Sequence, residues 1–119
     1  MKENVLKEKS FKFAVRVVNF YKYLCEKKKE FVLSKQVLRS GTSVGAMIRE
    51  AEHAESKVDF IHKLAIAQKE INETIYWLEL LKETNYITDT EFRSIHSDAL
   101  EIIRLITSVI KTIKTKTDN

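Results

Sequence analysis

The stretch Ser40-Gly41-Thr42-Ser43-Val44-Gly45-Ala46 decides how this chain folds. As a loop it would be a flexible Gly/Ser connector. Its flanks, 33–38 and 47–54, keep a helical apolar rhythm with no proline. Read as helix, Gly41 and Gly45 fall one turn apart on the same side, beside Val37, Val44 and Ile48. Each interior glycine costs a helix about 1 kcal/mol relative to alanine. Two in succession therefore point to a use for the missing side chains, most simply the close approach of another helix. We read the run as helix.

Composition supports that reading. The 119 residues include no proline and two glycines, both inside the run, which favours an all-α chain with few sharp turns. With 44% hydrophobic and 32% charged residues the chain can bury a core, and its length suits one domain over residues 1–119. A lone Cys25 excludes an intrachain disulfide and fits a reducing compartment. Met1 leads into Lys2, Glu3 and Asn4, without the apolar stretch of a signal peptide, and no apolar segment is long enough to span a bilayer. A cytoplasmic protein with no membrane partner is expected.

Four helices can be drawn, at about 10–26, 34–55, 57–84 and 89–114. The first carries the stripe Phe13, Val17, Phe20 and Leu24, and beside it Ala14, Val18, Tyr21 and Cys25. Lys27 to Glu30 reads as a polar connection, with Ser34 as N-cap of the second helix. Ser56-Lys57-Val58-Asp59 resembles a capping box with Asp in place of Glu, and Thr88-Asp89-Thr90-Glu91 is a second one. Asn85-Tyr86 separates the third helix from the fourth, and the polar tail after Lys114 is expected to fray. Short connections imply an antiparallel up-down-up-down four-helix bundle. The third and fourth helices hold apolar residues beyond their core stripes, among them Tyr76, Trp77, Leu80, Leu100 and Ile103. That surplus points to a homo-oligomer, with Tyr76, Trp77 and Leu80 as interface candidates.

The net charge of +4 is unevenly placed. Residues 1–29 hold nine Lys/Arg against three Glu, a local charge of +6, whereas the rest of the chain holds twelve against fourteen. Cations in the last turn of a helix are favoured by its dipole, which accounts for part of the Lys27-Lys28-Lys29 cluster. A basic end is also how a phosphate-binding surface is built.

Catalytic chemistry finds little support. Glu50-x-x-His53 and Asp59-x-x-His62 have the carboxylate–histidine spacing of di-iron bundles, but the first helix has carboxylates only toward its ends. Both histidines flank a turn, where surface histidines and capping carboxylates are the simpler reading. His96 has no partner nearby in sequence. Cys25 lies on an apolar stripe and reads as a packed thiol. No nucleophile elbow, Walker loop or dinucleotide fingerprint is present. The sequence predicts no enzyme, no metal and no cofactor.

Arg39-Ser40-Gly41-Thr42-Ser43-Val44-Gly45-Ala46, followed by Glu50-Ala51, Ser56, Asp59-Phe60, Lys63, Lys69-Glu70, Glu73-Thr74 and Tyr76-Trp77-Leu78, resembles the small bundle proteins encoded by 23S rRNA intervening sequences. These are also called the S23 ribosomal protein family. The resemblance spans nearly the whole chain and departs from the family pattern at Met47, where asparagine is expected. It implies a four-helix bundle assembled as a ring, a pentamer. It also implies similarity to the accessory protein of diversity-generating retroelements, a basic pentameric barrel that engages nucleic acid and a reverse transcriptase. Two functions stay open. One is a non-catalytic oligomer binding RNA or DNA through Arg16, Lys22, Lys27, Lys28 and Lys29. The other is a protein-interaction scaffold, for instance for a reverse transcriptase.

Overall fold

Each helix carries its apolar residues at alternating steps of three and four. On the first they are Leu6, Phe13, Val17 and Leu24, with Ser10 buried in the same register. On the second the buried seam is Ser34, Val37, Gly41, Val44, Ile48 and Ala51. On the third it is Leu64, Ala67, Ile71, Thr74, Leu78 and Leu81, and on the fourth Phe92, Ile95, Ala99, Ile102, Ile106 and Val109. A seven-residue repeat held this strictly brings helices together nearly parallel to one another, seam inward.

The structure, a computed structural model, describes residues 2–118 and realises that pattern. Helices α1 (Lys2–Lys28), α2 (Leu33–Glu52), α3 (Lys57–Glu83) and α4 (Asp89–Asp118) form an antiparallel up-down-up-down bundle. Each helix packs on its neighbours in sequence, and α4 closes back on α1, while among the described residues the backbones of diagonal helices stay apart. The result is a rod of 51 × 22 × 20 Å. No helix among the described residues is long and apolar enough to cross a membrane.

The glycine run lies inside α2, without a break. A Cβ on Gly41 would lie 2.8 Å from both γ-carbons of Val17, and one on Gly45 would lie 3.3 Å from the backbone oxygen of Ser10. Helix α1 therefore sits directly on the glycine face. On the other side, the buried Thr74 hydroxyl reaches Ser40 Oγ at 2.9 Å, and Ser40 donates to the Gln36 carbonyl at 2.8 Å. Small residues on α2 thus admit both neighbouring helices.

Several boundaries differ from those drawn on the sequence. Helix α1 begins at Lys2, eight residues earlier, because Leu6 and Ser10 extend its buried seam. Lys27 and Lys28 belong to its last turn, not to the connection. Helix α2 ends at Glu52, and α4 continues past Lys114 to Asp118. Val109, buried, and Ile113, packed against the core, carry the seam to the drawn end, and polar residues 115–118 continue the helix beyond it. Asn119 lies outside the described residues.

Ser34 is not the cap of α2. It is fully buried within the first turn and donates to the Glu30 carbonyl at 2.8 Å. The cap is the Glu30 carboxylate, which accepts from the backbone N–H of Ser34 at 2.7 Å, Leu33 at 3.1 Å and Val32 at 3.3 Å. A charged side chain placed ahead of the helix satisfies three orphan donors and meets the positive end of the dipole. Ser56 does cap α3, accepting from Asp59 N at 3.0 Å; the shorter Asp side chain reaches back only to Glu55 N. Thr88 and Glu91 close a reciprocal capping box on α4, at 3.1 and 2.8 Å. Asn85, at φ 67°, ends α3 in the left-handed conformation, with Tyr86 N–H bonded to the Leu81 carbonyl at 2.9 Å.

Candidate nucleic-acid interface

The cations of α1 divide sharply along the helix. Toward its N-terminus Lys2 donates to the Ser108 hydroxyl at 2.7 Å, and the next three are ion-paired: Lys7 with Glu52 at 3.2 Å, Lys9 with Glu101 at 3.0 Å and Lys12 with Glu8 at 3.2 Å. Arg16 is held most firmly. Its guanidinium donates to Asp98 at 2.7 Å and to the Ser94 hydroxyl at 2.6 Å and carbonyl at 3.3 Å, tying α1 to α4. A phosphate at Arg16 would have to compete with a carboxylate already in place.

Beyond Arg16 the pairing stops. Lys22, Lys27 and Lys29 are exposed and make no ion pair among the described residues. Lys28 lies over the Tyr23 ring, 5.8 Å from its centroid. Lys35, on the first turn of α2, is likewise exposed and unpaired among the described residues. The structure thus brings Lys22, Lys27, Lys28 and Lys29 to one end of the rod, adds Lys35 to them, and leaves Arg16 apart in its own network.

The acids at this end are mostly engaged. Glu30 is buried beneath α2, Asp89 pairs with Lys82 and Arg93, and Glu91 closes its capping box. Bonds from the Thr88 backbone, and then from Tyr23 and the Thr88 side chain, hold the Glu91 carboxyl below its usual range, against the opposing effect of partial burial. The same contact raises the Tyr23 phenol, which donates to that carboxylate. Glu26 is the exposed carboxylate left among the lysines.

Lys35 and its neighbours were missed in the sequence, although one signal was available. A cation in the first turn of a helix is disfavoured by the dipole, so Lys35 is not there to stabilise α2. Two large apolar side chains in the adjoining loop were missed too: Phe31 is 53% exposed and Val32 71% exposed.

The other candidates fall elsewhere. Tyr76 is 55% exposed and meets the Trp77 ring edge-on at 5.1 Å. Trp77 packs partly against the core with its indole N–H buried and without a hydrogen-bond partner, and Leu80 is half-buried. The surplus apolar surface expected on α4 is partly covered within the bundle, where Leu100, Ile103, Leu105 and Ile110 pack against the core, whereas on α3 Tyr76 stays exposed. Large apolar side chains are exposed on α1, at Val5, Phe11 and Val15, as well as on α3, at Val58 and Tyr76.

His53, His62 and the nearby carboxylates do not converge, and no group that could hold a metal is found among the described residues. His96 stacks on Phe92 at 4.8 Å. Cys25 is half-buried, its sulfur 3.8 Å from Ser34 Oγ, and its side-chain contact with Tyr21 is the main cause raising that phenol above its usual range. A cleft of about 370 Å³ between α1 and α4 is lined by Phe20, Tyr23, Glu91, Ser94 and Arg16 among others, and lies open to solvent.

Residues 2–108 match the family described as 23S rRNA-intervening sequence protein. Among solved structures, the chain is similar to a protein of unknown function from the S23 ribosomal protein family of Bacteroides thetaiotaomicron. The two are 62% identical and superpose with a TM-score of 0.92, over 93% of this chain and 99% of the other. No curated protein matches this chain. The chain belongs to the 23S rRNA-intervening sequence protein family.

Proposed function

We propose that this member of the family is a non-catalytic, self-associating bundle that binds nucleic acid electrostatically through the lysine-rich end of α1. The observation that supports this most directly is the contrast along α1. Lys7, Lys9, Lys12 and Arg16 pair directly with carboxylates, whereas among the described residues Lys22, Lys27, Lys29 and, on α2, Lys35 do not. Lys28, over the Tyr23 ring, makes no ion pair among the described residues and is only within electrostatic reach of Glu91. Unpaired cations gathered at one end of a rod attract a polyanion and release its counterions on binding. The sequence carries no helix-turn-helix, zinc-finger or RNP pattern, which supports binding that is blind to sequence.

Self-association rests on Val5, Phe11 and Val15, exposed along α1, and on Tyr76 on α3. A ring of five, the assembly implied by the family resemblance, would repeat the lysine end five times on one particle. Light scattering at micromolar protein tests the assembly, and a monomer mass contradicts it.

The binding test is affinity for unrelated oligonucleotides at two salt concentrations. Raising salt fourfold should weaken binding by about 50- to 150-fold for four neutralised phosphates, equally for every sequence. A protein that retains neither RNA nor DNA at low salt, yet still assembles, is instead a protein-interaction scaffold, for example for a reverse transcriptase.

A further inference from the structure

Phe31 stands at the lysine-rich end, in the loop between α1 and α2. It is 53% exposed and does not join the apolar residues packed against the core. Its loop is nevertheless fixed. Lys29 takes the left-handed conformation at φ 56°, and Glu30 N–H bonds back to the Leu24 carbonyl at 3.0 Å. On the far side the Glu30 carboxylate grips the backbone of Val32, Leu33 and Ser34. An apolar ring is thus held out to water by a clamped backbone, between Lys27, Lys28 and Lys29 before it and Lys35 after it.

We infer that Phe31 is a stacking platform for an unpaired base, so that the lysine-rich end prefers single-stranded over double-stranded nucleic acid. The inference rests on the nucleic-acid reading above and specifies its ligand. Cations beside an aromatic ring are what a single strand needs: phosphates meet the lysines while a splayed base covers the ring. A duplex presents the same phosphates but keeps its bases stacked inside, leaving Phe31 idle. Because the loop is already ordered, stacking loses little conformational freedom. An anionic bilayer would also attract lysines beside Phe31 and Val32, but two apolar side chains give it little to insert. Charge complementarity with an unpaired strand uses the whole arrangement.

The experiment compares wild type, Phe31→Ala and Phe31→Trp, each binding a labelled oligothymidine or oligouridine and a duplex of equal length at one salt concentration. Phe31→Ala should weaken single-strand binding by about 5- to 150-fold and leave duplex binding unchanged, while Phe31→Trp retains affinity. The new indole in Phe31→Trp should also lose fluorescence as the single strand is added. Equal loss for both ligands, or no loss for either, overturns the stacking role while the electrostatic reading stands. Wild type that binds neither ligand at low salt overturns both. Phe31→Ala that alters the mass of the assembly shows that the ring belongs to a subunit contact and overturns the inference. Wild type that shows no single-strand preference, yet binds vesicles containing phosphatidylserine in a Phe31-dependent way, overturns it in favour of a membrane surface.

Discussion

Gly41 and Gly45 sit one turn apart in the same helix but meet α1 differently. A methyl on Gly41 would be forced against both γ-carbons of Val17, a buried and β-branched side chain with no free direction to move. At Gly45 the nearest atom is the Ser10 oxygen at 3.3 Å, a tight contact that a small shift relieves. Alanine gains about 1 kcal/mol of helix propensity at either site. Overpacking of about 1–3 kcal/mol outweighs that at Gly41 and roughly cancels it at Gly45. Urea unfolding should therefore show Gly41→Ala less stable than wild type, and Gly45→Ala within about 0.5 kcal/mol of it. Equal effects would contradict the geometry. Glu30→Ala strips three backbone donors of their acceptor and should lose about 1–3 kcal/mol, with Glu30→Gln losing less because one oxygen remains. An unchanged midpoint for Glu30→Ala would show that water replaces the cap. At this scale the sequence was legible where periodicity ran through the glycine run. It was misleading at Ser34, whose residue type suits a cap but whose seam position buries it. Glu30 went unrecognised because a carboxylate three residues ahead of the first helical residue, outside the N-cap position, matches no familiar capping spacing.

The helices themselves were legible because their apolar spacing is strict and their boundaries carry local chemistry. Ser56 caps α3 by accepting from Asp59 N, and the reciprocal box of Thr88 with Glu91 opens α4. The start of α1 was drawn too late, since a polar surface hid a seam that continues at Leu6, and the end of α4 was drawn too early because residues 115–118 are polar yet continue the helix. The α4 box also links stability to pH. The Glu91 carboxyl is depressed in the folded chain, so its bonds to Thr88 and Tyr23 contribute fully above the unfolded value of about 4.3. Their contribution is lost as pH falls from there through the folded value. Glu91→Gln should therefore narrow the difference in stability between pH 7 and pH 3 relative to wild type, as followed by circular dichroism in urea. A difference as large as that of wild type would place the acid sensitivity elsewhere.

Over the whole molecule, the fold follows from four matching seven-residue repeats, but the placement of charge does not. Nine cations crowd residues 1–29, and only the bundle shows which of them are used internally. Arg16 is spent on Asp98 and Ser94, contacts some eighty residues away in sequence that no local pattern announces. Packing likewise adds exposed apolar residues on α1, Val5, Phe11 and Val15, to Tyr76 on α3. What remains free is the lysine end, and on it rests the account of function. Its most direct test is the slope of log affinity against log salt for a single-stranded oligonucleotide, compared between wild type and Lys27→Gln/Lys28→Gln/Lys29→Gln. Each phosphate contact contributes about 0.7 to that slope, so removing three should flatten it by about 2 for every subunit engaged. Affinity at low salt should fall alongside it, with the mass of the assembly unchanged. A triple variant that keeps the wild-type slope and affinity would contradict the account and place any nucleic-acid contact elsewhere on the bundle.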